Sequence, residues 1–294
     1  MSVQPIMLVW RRQSAWSQAS DRLKRQISRS RVVALALAIV GAVLGTAAAE
    51  MIKEHVLPGR IVAAAAAVAL ALASIAVRVT SPSVVRDWTR ARSMAEALKS
   101  DAYCYLSRTG PFVGDDRDEV ALRRLDELGE LAGDLVRYIT GIEPAERPLP
   151  DVHDVDTYVS VRVEGQITGY YRPRARLMAG RVRLARRLEM GLGIMAAAFG
   201  AVVAIFPTMG LSAWIGVLTT VATAIAAHAS GSRFEYQQIE FTRTAEELER
   251  LSAGYTAADK EQLDADEFVQ ACEQVISIQN ESWMVRLSTE HPAT

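Results

Sequence analysis

The chain has 294 residues, half of them hydrophobic, with few aromatics and a net charge of −1. That near-neutral balance excludes a nucleic-acid binder driven by bulk charge, and the length suffices for two domains. The two cysteines, Cys104 and Cys272, stand far apart in no metal-ligand spacing and read as reduced thiols.

In chain order, residues 1–31 are amphipathic and basic, with Arg11, Arg12, Arg22, Lys24, Arg25, Arg29 and Arg31. Trp10 and Trp16 sit among them as anchors at a membrane interface, with helix packing as the alternative for Trp16. Residues 32–49 then carry no charge. Ala47-Ala48-Ala49 imitates a signal cleavage site, but the apolar run and the charged stretch before it are both too long for one, so a retained helix is expected. A second uncharged run ends at Arg78, giving crossings at 32–49 and 61–78 with Pro58-Gly59 as the expected turn. Gly41 and Gly45 form a GxxxG step that Ala49 extends, a pattern that lets two helices approach closely in lipid.

Apolar spacing at Ala95, Leu98, Ala102 and Tyr105 predicts a helix over 83–107, closed by Thr109-Gly110-Pro111. A further helix is expected over 116–139, with Val120, Leu122, Leu125, Leu128, Leu131, Leu135 and Val136 as its apolar positions. Asp115, Asp116, Asp118 and Glu119 suit its N-terminal dipole better than a metal, because no calcium-loop spacing accompanies them. Residues 141–150 carry three prolines and read as a linker, dividing the chain into 1–150 and 151–294.

The second half opens with a helix expected over 154–188. Tyr158, Arg162, Gln166 and Tyr170 stand four apart on it, a polar-aromatic stripe suited to another cytoplasmic helix rather than lipid. Pro173 should bend or break this helix, and a run of arginines from Arg172 to Arg187 follows. Residues 190–232 hold no Asp, Glu, Lys or Arg, around a turn signal at Phe206-Pro207-Thr208-Met209-Gly210. A bilayer core of about 30 Å takes ~20 residues of helix to cross. The run is therefore read as crossings at 190–206 and 211–230. Gly200 and Ala204 match Gly41 and Gly45 as small-residue packing positions. Helices over 233–252 and 266–287 close the chain, the last with Phe268, Cys272, Val275, Ile276 and Trp283 on or near one face.

The expected fold is all-α: an integral membrane protein of two transmembrane hairpins, four crossings and long cytoplasmic helices. Arginines flank both hairpins, which places both termini in the cytoplasm at the inner membrane. Both halves run basic helix, hairpin, cytoplasmic helix, so an internal duplication in parallel orientation is expected.

No enzyme constellation appears: the histidines are isolated, and there is no P-loop, GxSxG or HExxH. No catalytic residue, cofactor or metal site is assigned. No charge lies inside a crossing, which disfavours an ion-coupled transporter. Ser212, Gly216, Thr219 and Thr223 form one mildly polar stripe, read as helix packing or as the wall of a pore.

The first half, through the Trp16 region, the hairpin, Ala97-Leu98-Lys99 and Thr109-Gly110-Pro111-Phe112, resembles one branch of the SLATT domains. These are two-pass membrane proteins of bacterial nucleotide-signalling conflict systems. The second half, through Tyr158, Arg162, Gln166, Tyr170-Tyr171, the hairpin, Phe268, Glu273 and Trp283, resembles another branch. Two tandem copies are thus expected. The resemblance implies a non-enzymatic pore-forming or membrane-perturbing effector. Its partners would be the lipid bilayer, further copies of itself and a cytoplasmic signalling protein, with no nucleic acid. The alternative is a membrane scaffold that binds a partner through its cytoplasmic helices and conducts nothing.

Overall fold

In a computed structural model, residues 4–78, 81–206, 212–257 and 264–289 are described, with side-chain surroundings through residue 277. The described residues are mostly helical, without a strand. The elements are α1 (Pro5–Glu54), α2 (Val56–Arg78), α3 (Pro82–Ser107), α4 (Arg117–Leu131), α5 (Val155–Tyr158), α6 (Arg172–Ile205), α7 (Ser212–Gly231), α8 (Phe234–Ala257) and α9 (Ala265–Thr289). Four helical stretches are long and apolar enough to cross a membrane. The chain folds as two compact units. The first combines the start of α1, residues 82–175 and the chain from 239 onward; the second holds both apolar hairpins. These units cut across the sequence halves, because apolar segments from both halves group together, and charged helices do likewise.

The first unit is a helical bundle. Ile6, Val9, Trp10, Trp16 and Leu23 of α1 pack with Ala91, Met94, Leu98 and Ala102 of α3 and with Val120 and Leu125 of α4. Trp10 and Trp16 are thus core residues, 7% and 2% exposed, and not interface anchors. Their indole rings bury more area against this bundle than a headgroup layer would take from them. The expected linker lies along α1. Trp10 Nε1 donates to the Pro148 carbonyl at 3.1 Å, Ser14 Oγ donates to Ala145 at 3.1 Å, and Arg147 donates to Gln13 Oε1 at 2.6 Å.

Three local expectations change. The helix expected over 116–139 stops at Leu131 and tightens into a 3-10 turn over Gly133–Tyr138. Gly129 and Gly133 weaken helix propensity there. The change of pitch buries Leu135 while Leu122, Leu131 and Val136 stay exposed. The first hairpin turns at His55, and Pro58 falls in the first turn of α2, where a missing N–H costs nothing. Pro173 does not break its helix. It stands second in α6, just after π-helical turns over Val159–Glu164 and Ile167–Tyr171, whose wider hydrogen-bonding register accommodates a proline.

In the second unit the first hairpin is closed by small residues at seven-residue spacing. Ala34, Gly41 and Ala48 are buried on α1, and Gly59, Ala66 and Ala73 on α2. A Cβ on Gly41 would meet the Leu70 side chain at 2.6 Å, and one on Gly59 would meet the Ile52 backbone nitrogen at 2.8 Å. The second hairpin is more open. The most apolar windows of its helices are 6% buried, against 17% in the first hairpin. Its expected turn at 206–210 lies, from Pro207 on, outside the described residues, as does Leu211.

Candidate functional site

The strongest concentration of polar chemistry is a seam in the first unit where α3, the α5 region and α9 meet. It begins at a capping box. The Asp154 side chain accepts from the Thr157 N–H at 2.8 Å, and the Thr157 hydroxyl accepts from the Asp154 N–H at 3.1 Å, which starts α5. The π-helical turns follow. In an α-helix, residues four apart drift by about 40° per step. A wider turn reduces that drift, so residues 158, 162, 166 and 170 stay near one side.

Each residue of this stripe meets a named partner. Tyr158 is fully buried and donates its hydroxyl to Glu273 Oε1 at 2.9 Å. Arg162, 1% exposed, grips both carboxylate oxygens of Glu273, Nε to Oε1 and Nη2 to Oε2, each at 2.8 Å. Its guanidinium also lies 4.7 Å from the centre of the Tyr103 ring. The half-buried Gln166, with its amide oxygen turned inward, accepts from Lys99 Nζ and Arg162 Nη1, each at 3.3 Å. Tyr170, also half-buried, accepts from Arg92 Nη2 at 2.9 Å and packs edge-on against Phe241. The stripe of the second half therefore faces Arg92, Lys99 and Tyr103 of α3, from the first half.

Electrostatics follow from this geometry. Burial pushes the Glu273 carboxyl up, but the Arg162 charge and hydrogen bonds, with those of Tyr158, outweigh it and hold the pKa below the usual value. Burial alone would lower Arg162, and Glu273 reverses that so that its pKa is raised. The pair is ionised and mutually satisfied. Glu96 and Glu273 bear on Lys99 only weakly. Burial, then the Arg162 charge, press its pKa down to about 8. Burial raises both thiols, Cys104 and Cys272, to about 12, which makes them poor nucleophiles.

Beside the seam, a hollow of about 440 Å³ opens between α3, α4 and α9, lined among others by Glu96, Ser100, Asp101, Arg124, Gln270 and Glu273. Asp101 accepts from Arg124 Nε at 3.0 Å through one oxygen, while its other oxygen has no partner. Burial raises its pKa despite Arg124. Among the described residues, no three His, Cys, Asp or Glu side chains gather as metal ligands would.

The other singled-out residues lie in the membrane hairpins. Gly41 is buried against α2, whereas Gly45 and Ala49 are exposed. Gly200 is half-buried with no atom within 4 Å of a built Cβ, and Ala204 is exposed. Ser212, Gly216, Thr219 and Thr223 all face outward from the chain. Thr219 returns its hydroxyl to the Ile215 and Gly216 carbonyls at 3.1 and 3.0 Å, and Thr223 to Thr219 at 2.9 Å. These hydroxyls are therefore satisfied within α7.

Sequence reasoning found the 158–170 stripe but not the residues it binds. A carboxylate at position 273 among the buried Val269, Cys272 and Ile276 was the available signal, since a charge on an apolar face needs a counter-ion. The 162–273 pairing itself spans 111 positions and has no local signature.

Comparison with protein families follows the same division. Residues 158–283 match the SMODS and SLOG-associating 2TM effector domain 1. Residues 14–119 match a family described as a protein of unknown function, DUF4231. Neither description is of an enzyme. No curated protein and no solved structure matches the chain.

Proposed function

From a chain whose second half belongs to the SLATT family of two-transmembrane effector domains, we propose a non-enzymatic membrane effector that assembles into a pore. Both termini lie in the cytoplasm at the inner membrane, and the two halves are tandem copies of one hairpin unit. The observation that carries the reading is the outward position of Ser212, Gly216, Thr219 and Thr223 beside the open second hairpin. A single chain has no lumen along this face, so conduction requires several copies around a common axis, with α7 as the lining helix. Hydroxyls bonded to their own helix make a neutral, narrow wall that closes by dewetting. The first hairpin, closed on itself by Gly41 and Gly59, serves as the anchor. The seam between the halves holds the resting state until a cytoplasmic signal arrives.

The experiment is dye or ion leak from proteoliposomes, normalised to inserted protein. Thr219→Asp and Thr223→Asp should hydrate the lining and raise basal leak about tenfold or more. Val221→Asp, on the other side of α7, should reduce insertion without leak. No leak from either threonine variant in well-inserted protein would leave a non-conducting scaffold as the better reading.

A further inference from the structure

The hollow between α3, α4 and α9 carries two buried carboxylates in contrasting states. Glu273 is 7% exposed, and Arg162 and Tyr158 satisfy both of its oxygens. Asp101 is buried almost as deeply, at 9%, and lines the same hollow. Its ion-pair partner is Arg124, through one bond from Nε to Oδ1 at 3.0 Å. Oδ2 is buried and accepts no hydrogen bond. The pair is also lopsided, since the Arg124 side chain is 40% exposed and that of Asp101 12%. The carboxylate has left water, and its counter-ion largely has not.

A buried acceptor without a donor costs free energy, and folded proteins leave few of them. Electrostatics register the shortfall. Burial raises the Asp101 pKa, the Arg124 charge and hydrogen bond lower it, and burial prevails, with Glu273 and Glu127 adding to the rise. One water would satisfy Oδ2, but a water takes only about 30 Å³. The hollow measures about 440 Å³. That falls within the range of roughly 300–1,000 Å³ that small-molecule sites occupy.

The lining selects a class of ligand. An ionised carboxylate only accepts, so whatever completes Asp101 must donate. Among the described lining residues, three carboxylates, Glu96, Asp101 and Glu273, stand against the single guanidinium of Arg124, which disfavours an anion. A charged donor makes the stronger bond and supplies the counter-charge that Arg124 gives only in part. A bare metal ion fits poorly, because no three suitable side chains gather among the described residues. Ala97, Pro111 and Phe112 add an apolar wall, which offers a short alkyl chain a place out of water. Arg124, exposed and held by one bond, can swing aside and open the way to Oδ2.

We propose that this hollow binds a primary alkylammonium ligand, its ammonium on Asp101 and its alkyl chain against Ala97, Pro111 and Phe112. The ammonium completes the hydrogen bonding of Asp101, and occupancy braces α9 against α3 beside the seam. The site belongs to the first unit and does not depend on conduction.

The test is isothermal titration calorimetry on the full chain in neutral detergent, with melting temperature as a second readout. The probes are n-butylammonium, n-butanol and butyrate, which share a chain and differ in the head. Butylammonium should bind saturably and raise the melting temperature, and the other two should do neither. Asp101→Asn keeps the shape and removes the charge. It should weaken binding by about tenfold or more, the usual cost of losing a charge-assisted hydrogen bond. Ala97→Met fills the hollow without touching a charge, and should weaken binding as much while the melting temperature without ligand is kept. Asp126→Asn removes an exposed acid of α4 outside the hollow and should change affinity by less than about twofold. Equal binding of butanol would make the hollow a merely apolar one and overturn the proposal. Unchanged affinity in Asp101→Asn or Ala97→Met would overturn it, as would an equal loss in Asp126→Asn, which would reduce the effect to bulk charge. No saturable binding of butylammonium to the wild type would leave the hollow to water.

Discussion

Arg162 and Glu273 are buried together, and the cost of taking each from water is met only while both are present. Arg162→Met or Glu273→Leu alone should therefore destabilise by about 3–5 kcal/mol, because each strands a buried charge. The double variant should cost less than either single, and adding Tyr158→Phe should recover more by removing a stranded hydroxyl. Thermal melts of the four proteins test this, and additive losses would contradict it. Lys99 makes a second prediction through pH. Its folded pKa of about 8 lies below the ordinary 10.5, so between these values the unfolded chain binds more protons. Stability then rises with pH across that window, by at most ~1.4 kcal/mol per pH unit. The two thiols act oppositely: folded values of about 12, above the ordinary 9, make stability fall as pH climbs past 9. The measurement is thus the difference between wild type and Lys99→Met, whose gap should narrow from pH 8 to 10. A gap independent of pH would show that Lys99 is not held in this environment. Tyr158, Arg162, Gln166 and Tyr170 were legible as a stripe because their spacing is local. Glu273, Lys99 and Arg92 were not, because a partner's identity depends on which helix comes to lie opposite.

At the scale of elements, the hairpins share composition and differ in closure. Gly59 meets backbone atoms of Ile52, which cannot move aside, whereas Gly41 meets the flexible end of Leu70. Gly59→Ala should therefore lower stability by about 1–3 kcal/mol, and Gly41→Ala by clearly less, since overpacking is relieved only where a side chain can turn. Melting temperatures in one detergent decide this, and a larger loss at Gly41 would show that the turn is not as tight as described. Gly45→Ala, with its nearest neighbour at 4.0 Å, serves as the mild reference. GxxxG spacing selected Gly41 and Gly45 as one face. The buried positions instead repeat every seven residues, with Ala69 between Ala66 and Ala73 on α2, which is the seam of two helices packed along their length. Small-residue patterns in alanine-rich helices contain several such faces at once. Only the partner helix selects one.

Across the whole molecule, the proposed topology, drawn from the arginines flanking both hairpins, puts the two hairpin loops outside and both termini inside. Cysteine labelling in intact cells should then mark Lys53→Cys and Met209→Cys from outside and leave Arg117→Cys unlabelled. Labelling of position 117 from outside would reverse the orientation. The native thiols should give little background, since Cys272 is buried and both thiols are held far above their ordinary pKa by burial.

What the chain's sequence determined alone was the class of fold: helices everywhere, four of them apolar and long enough to cross a membrane, because hydrophobicity, helical period and breakers such as Gly110-Pro111 act over short distances. The same local signals misled where two structures compete closely, as at Gly129–Gly133, where an α-helix gives way to a 3-10 turn, and at Trp10, where the bundle takes an indole that a bilayer surface would also accept. Only the tertiary structure decided that charged helices from both halves build one unit, and that the stripe at 158–170 closes on Glu273 and α3. Each of these joins residues far apart in the chain, and such pairings are chosen by which buried charges and faces can be satisfied together.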